Sequence, residues 1–273
     1  MASAVHVTPT SPAGVPVIGV CESGSCTQNG AEVALAAIED LAVCVGGTKV
    51  MRRGCLNACH AGPNAVLRRP PLKPVLYSRL ETFGSCVRLI SEANPEISAN
   101  ALSKHTLEAL ANHYQALNFT NRQRWFDAIE SAQRSLQVIE STADSHLRGV
   151  YASRVLVTKG KAILECSEAK GVHDALACAE EAIEAGFVPG QIAPIAPLLL
   201  RADATFALLA TPSDHSFEGD RDGLRAAALE AFEEVECHME RQKEGSVPRA
   251  QRLTFEEAQR VRRSINMLRS DDC

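Results

Sequence analysis

The sequence has no apolar run near the ~20 residues that a membrane-spanning helix needs, so no span is expected. It has no excess of basic charge. Against 33 Asp and Glu stand 28 Lys and Arg, a net charge of −5, and without a broad cationic surface to neutralise phosphates no nucleic-acid partner is expected. No nucleophile–base pair, phosphate-cradling loop or carboxylate dyad occurs at motif spacing, so no catalysis is assigned and the chain is read as not an enzyme. Met1 to Pro16 contains no acidic residue, yet it lacks the arginines and the length of an organelle-targeting segment, and no apolar signal stretch precedes Cys21. The expected location is an intracellular, reducing compartment: the cytoplasm, or the stroma or matrix of an organelle, a plastid included.

What is present is globular material with an uneven cysteine distribution. The 273 residues are 45% hydrophobic, enough for two ordinary domains. Ten cysteines are too few in a chain of this length for a secreted disulfide framework. Four of them form two pairs, Cys21-Glu-Ser-Gly-Ser-Cys26 and Cys55-Leu-Asn-Ala-Cys59, and the second pair runs into His60-Ala61-Gly62-Pro63-Asn64.

Residues up to about 94 alternate between strand and helix patterns, whereas everything later reads as helix. Pro16–Val20, Lys49–Arg53, Asn64–Arg68 and Val75–Tyr77 read as strands. Gln28–Val43, with Asn29 as N-cap, and Glu81–Glu92 read as helices. The boundary is placed at Asn94-Pro95, residues 1–15 are expected to be a flexible tail, and residues 16–94 form the first domain. The predicted class is α/β followed by all-α. Strands ending at Cys21 and just before Cys55 would release their loops at one sheet edge, bringing four sulfurs together there. Gly24, Gly30, Gly54 and Gly62 are expected to let those loops turn tightly. The neighbouring helix would point its positive end at the same edge.

Such a thiol set admits several occupants. Four thiolates can hold zinc, but the usual two-residue spacing is absent from both pairs; thiol–disulfide chemistry likewise lacks its Cys-x-x-Cys signature. An iron–sulfur cluster remains the favoured occupant. The run Cys21–Cys26 followed by Gly30, then Gly54-Cys55 to Cys59-His-Ala-Gly62-Pro63-Asn64, with Leu76-Tyr77-Ser78 beyond, resembles the thioredoxin-like [2Fe-2S] ferredoxins over about residues 16–92. The resemblance implies a thioredoxin-like fold and a [2Fe-2S] cluster, with Cys21 and Cys26 on one iron and Cys55 and Cys59 on the other. The chain departs from that pattern at Asn57, where many members carry glycine, and at Ser78-Arg79, which replaces a glycine-rich turn.

Beyond the boundary a repeat is visible when Asp127-Ala-Ile-Glu-Ser-Ala132 is laid over Asp174-Ala-Leu-Ala-Cys-Ala179, with Leu136 on Ile183. A weaker third copy places Asp222, Leu224, Ala227 and Ala231 in register. Helices over Ser145–Cys166 and Ile195–Ala210 fill the intervals, and Ala128, Ala132, Ala175 and Ala179 would let helices approach closely. Residues 101–270 resemble tetratricopeptide-type (TPR-like) repeats, which implies a helical array that docks a protein.

The remaining candidates are read as structural. Cys44, Cys86, Cys166, Cys178 and Cys237 are expected to pack as small hydrophobes, with Cys273 idle. His60 is read as a solvated histidine, and His105, His113, His146, His173, His215 and His238 as surface residues. Trp125-Phe126 should anchor helix packing. Arg52, Arg53, Arg68, Arg69, Lys73 and Arg79 flank the second pair and either guide an acidic redox partner or are merely solvated. The sequence thus predicts an electron-transfer or redox-sensing protein with a protein redox partner, alternatively an assembly or scaffold protein whose repeats hold a client.

Overall fold

The computed structural model describes residues 14–95, 102–142, 147–166, 169–186, 195–210, 221–243 and 255–270. Two compact units divide at Leu110 and Ala111, inside a helix. The first thirteen residues, Ser145, His146, His215 and Cys273 lie outside the described residues.

The first unit carries strands β1 (Val17–Cys21), β2 (Lys49–Arg53), β3 (Ala65–Arg68) and β4 (Val75–Tyr77), and helices α1 (Gly24–Gln28), α2 (Ala31–Val45) and α3 (Phe83–Ala93). The strands form one mixed sheet in the order β2-β1-β3-β4: β1 is parallel to β2 and antiparallel to β3, and β3 is antiparallel to β4. Because β1 and β2 run together, Cys21 and Arg53 pair at the same end, and the loops beyond them leave from one edge. The antiparallel β3 begins at that same edge, with Ala65 opposite Val20.

Alternation puts Ile18 and Val20 on one face with Ala65 and Leu67, all buried, and α2 packs on β1, β2 and α3. Because α2 is flanked by both sheet and helix, Leu35, Ile38 and Leu41 are almost fully buried together with Ala34 and Ala37. Burying a side chain such as Ile38 or Leu41 contributes roughly 2 kcal/mol. Helix α3 starts in a reciprocal cap, Ser85 N–H donating to Thr82 Oγ1 at 3.2 Å and Thr82 N–H to Ser85 Oγ at 3.4 Å. Tyr77 donates to the Glu92 carboxylate, tying β4 to α3.

Helix α2 does not start where the periodicity suggested. A separate five-residue helix, α1, precedes it and contains Cys26, Asn29 ends α1, and Gly30 at φ 89° is the N-cap of α2. Only a residue without a Cβ enters that left-handed turn without strain.

Helix α4 (Lys104–Asn121) spans the division between the units. Beyond it come α5 (Trp125–Ser141), a π-turn at Leu147–Tyr151 kinked at Gly149, α6 (Ala152–Cys166), α7 (Ala169–Gly186), α8 (Ile195–Ala210), α9 (Arg221–Lys243) and α10 (Phe255–Arg269). From α5 onward each helix packs on the next. Ala128 and Ala132 on α5, and Ala175 and Ala179 on α7, are all fully buried, so the small residues line helix contacts. Neighbouring helices come close at Gly160 of α6: a Cβ there would lie 2.5 Å from Leu200 Cδ2 on α8 and 3.2 Å from Cys178 Cβ on α7. Gly160→Val is therefore expected to lower the unfolding free energy by about 2 kcal/mol in urea titration despite valine's lower backbone entropy.

The third copy keeps the predicted register only in part: Ala231 is buried and Leu224 half-buried, like Leu176 in the second copy. Asp222 and Ala227 are exposed, and the buried stripe of α9 is Ala228, Ala231, Phe232 and Val235. The packing of α9 on α8 and α10 selects the face, with Phe232 edge-on to Phe206 at 6.0 Å between centroids. Phe126 also departs from expectation: it is 78% exposed and anchors nothing.

Candidate metal centre

The edge at which β1 and β2 end and β3 begins carries all four paired cysteines. Cys21 closes β1 and is 1% exposed, and Cys26, fully buried in α1, packs with it against Ala31, with Leu56 alongside. Cys55 lies in the loop after β2 and is exposed, while Cys59 opens a single 3₁₀ turn (Cys59–Ala61) and is half-buried. The thiols form an inner and an outer pair.

Within the outer pair, Cys55 Sγ and Cys59 Sγ are 3.4 Å apart. Within the inner pair, Cys21 and Cys26 interact through their thiols. Ser23 links the two, its hydroxyl lying 3.3 Å from Cys21 Sγ and 3.8 Å from Cys59 Sγ. Among the described residues no three His, Cys, Asp or Glu side chains are arranged to hold one metal ion. Burial opposes ionisation of Cys21, yet hydrogen bonds from Ser23, from the Leu56 backbone and from Cys26 outweigh it and hold the thiol below its usual pKa. Cys59 lies above its usual value, chiefly because it shares a hydrogen bond with Cys55.

Two features fit the loops around the sulfurs. A Cβ on Gly62 would sit 2.9 Å from Cys26 Sγ and 3.4 Å from its Cα, so the chain passes the buried thiol only because residue 62 has no side chain. Gly62→Ala is accordingly expected to push Cys26 aside and to make its thiol react several-fold faster with a thiol reagent in the metal-free protein. Asn64, fully buried, donates from Nδ2 to the Ala58 carbonyl at 2.7 Å and stands 3.5 Å from Cys26 Sγ. By contrast Gly24 and Gly54 face open space and have no left-handed backbone, so the tight turning expected of them is absent. The left-handed conformation falls instead at Asn57 (φ 59°) and Arg79 (φ 58°), the two places where the sequence departs from the glycine-bearing family pattern.

The other candidates divide. Cys86 is fully buried in α3, where desolvation pushes its thiol up to about 12, and Cys178 is buried as expected. Cys44 and Cys166 are half-buried, whereas Cys237, expected to be buried, is exposed on α9. His60, His105 and His173 are exposed. His113 and His238, read as surface residues, are 4% and 7% exposed because they point into the helical unit. Of the six cations near the outer pair, Arg52 is bound to Glu22 at 2.5 Å and Glu32 at 2.9 Å, and Arg69 donates to the Glu92 carbonyl. Arg52 is itself exposed, as are Arg68, Lys73 and Arg79, and Arg53 is half-buried. Sequence reasoning gave Ser23 and Asn64 no role. Their position beside cysteines was visible in the sequence, but the pairs they join are brought together only by the sheet.

No family model, curated protein or solved structure matches the chain. No described helix is long and apolar enough to cross a membrane.

Proposed function

We propose that the chain is a [2Fe-2S] protein that transfers or senses single electrons and docks a protein partner through its helical array. The observation that carries this reading is the grouping of four thiols in twos, Cys21 with Cys26 and Cys55 with Cys59, along one sheet edge. A two-iron group asks each iron to be held by two thiolates, whereas a lone tetrahedral ion asks four to meet at one point. The two-and-two arrangement suits the former. The sheet order β2-β1-β3-β4, with a helix between the parallel strands and another after β4, supports the thioredoxin-like expectation.

The residues present fit the group. Cys21 and Cys26 would hold the inner iron, Cys55 and Cys59 the outer, and the group supplies reversible one-electron storage when bound. Ser23, the Leu56 N–H and the Asn57 N–H, 3.3 Å from Cys55 Sγ, aim donors at the sulfurs and offset their negative charge. Exposed Cys55 puts one side of the site at the surface, where an electron can pass to a docked partner. Consecutive helix packing from α5 to α10 supports the docking role, and no catalytic chemistry is assigned.

Anaerobic purification followed by iron and sulfide analysis, with electron paramagnetic resonance of the reduced sample, tests the proposal. Two irons and two sulfides per chain, with a signal that appears on one-electron reduction, are expected. Zinc in place of iron, or metal-free thiols after reconstitution, would refute it.

A further inference from the structure

Asn64 carries a polar side chain into a fully buried position immediately before β3. Its backbone carbonyl accepts the Cys21 N–H at 2.9 Å, its Nδ2 donates to the Ala58 carbonyl at 2.7 Å, and the same nitrogen lies 3.5 Å from Cys26 Sγ. One residue thus contacts the backbone of Cys21, the sulfur of Cys26 and the carbonyl that precedes Cys59. The orientation of the amide follows from these partners, since reversing it would set Oδ1 against the Ala58 carbonyl, acceptor facing acceptor. In the orientation that makes both donor contacts, Oδ1 is buried without a partner. A residue that merely filled this space would be apolar, because leucine of similar volume buries no unpartnered polar atom of its own; what leucine lacks is the donor to the Ala58 carbonyl.

We propose that Asn64 is a positioning residue that sets the spacing of the two thiol pairs, clamping the 55–59 loop to the end of β1 and to helix α1, and aiming one N–H at the Cys26 sulfur. The clamp acts in the metal-free protein; the effect on electron affinity rests on the [2Fe-2S] reading. An N–H directed at a ligating sulfur stabilises negative charge there, so it favours the reduced state of an anionic centre.

Asn64→Leu and Asn64→Ala, each compared with wild type in iron-loaded and metal-free form, separate the two parts. Leucine keeps the volume and removes both donors, and alanine removes them without crowding. In loaded protein both variants are expected to have a more negative midpoint potential and to lose iron to a chelator roughly tenfold faster. In metal-free protein the Cys21 and Ala61 amide protons are expected to exchange about tenfold faster, because the loops they belong to are no longer clamped. Wild-type exchange rates in a folded variant would overturn the clamp, and an unchanged potential and chelation rate would overturn the effect on the centre. A wild-type protein that takes up no iron refutes the [2Fe-2S] reading and leaves the clamp to be judged by amide exchange alone. Should the leucine variant fail to fold, the alanine variant decides.

Discussion

Cys55→Ser is expected to cut the iron content from two per chain to less than one and to abolish or distort the resonance signal of the reduced protein, while Cys86→Ser keeps both. The contrast follows from where the thiols sit. Cys55 lies 3.4 Å from Cys59 on the exposed side of the site, so on the proposed [2Fe-2S] reading its loss would leave the outer iron with a single thiolate. Cys86 is sealed among the apolar residues of α3, with its thiol held up to about 12 by desolvation, and no thiolate is available there to bind metal. Serine at position 86 still has a cost, since a hydroxyl replaces a thiol in a fully buried position; about 1–2 kcal/mol of stability should be lost with metal content intact. Iron analysis and urea titration on the two variants therefore move in opposite directions. If Cys86→Ser strips the iron and Cys55→Ser does not, the ligand assignment is wrong. On the wild type, reversible one-electron reduction with the fold intact in both states supports a carrier, whereas a redox-inert centre combined with tight client binding supports a scaffold.

Acidification from pH 6.5 to 4 is expected to lower the unfolding free energy by about 3 kcal/mol through His113 alone. Its ring bridges Tyr151 Oη at 3.1 Å from Nδ1 and Thr158 Oγ1 at 2.9 Å from Nε2, joining α4 to the π-turn and to α6. Thr158 donates its own proton to the Arg154 carbonyl, so its oxygen accepts from Nε2–H, and Nδ1 is left to accept from Tyr151. The neutral ring has both nitrogens satisfied. Burial pushes its pKa from 6.5 down to about 4. The unfolded chain therefore binds the proton first as pH falls, and stability drops through the interval between those two values and levels off below it. At neutral pH the full contribution is present. Asp203 slopes the other way, because burial lifts its carboxyl above the usual range despite Arg260. The measurement is accordingly a difference: urea titrations at several pH values on wild type and on His113→Leu, with the variant expected to lose the His113 slope. Parallel curves for the two proteins would show that the ring does not titrate as stated.

How much of this was legible before the structure varied with the range of the forces involved. Strand order along the chain, the helix over Ile195–Ala210 and the alanine contacts of α5 and α7 were readable, because periodicity and turn chemistry act between residues a few positions apart. Helix α1 was not, since five residues are too few to show a helical period. At the candidate site, the two cysteine pairs and the shared sheet edge could be inferred, but the Ser23 bridge and the reach of Asn64 across six residues to Ala58 could not.

The sequence by itself determined the four strands and, α1 and the start of α2 apart, the helices of the first unit, and that four thiols lie near one edge of a small sheet. Tertiary structure alone decided that α9 buries Ala228 rather than Ala227, that His113 is an interior residue, that Cys237 faces solvent and that Arg52 is spent on Glu22 and Glu32. The physical reason is that burial and hydrogen bonding are settled by partners distant along the chain. His113 finds its own 38 and 45 residues away, and nothing in its neighbours by sequence announces them.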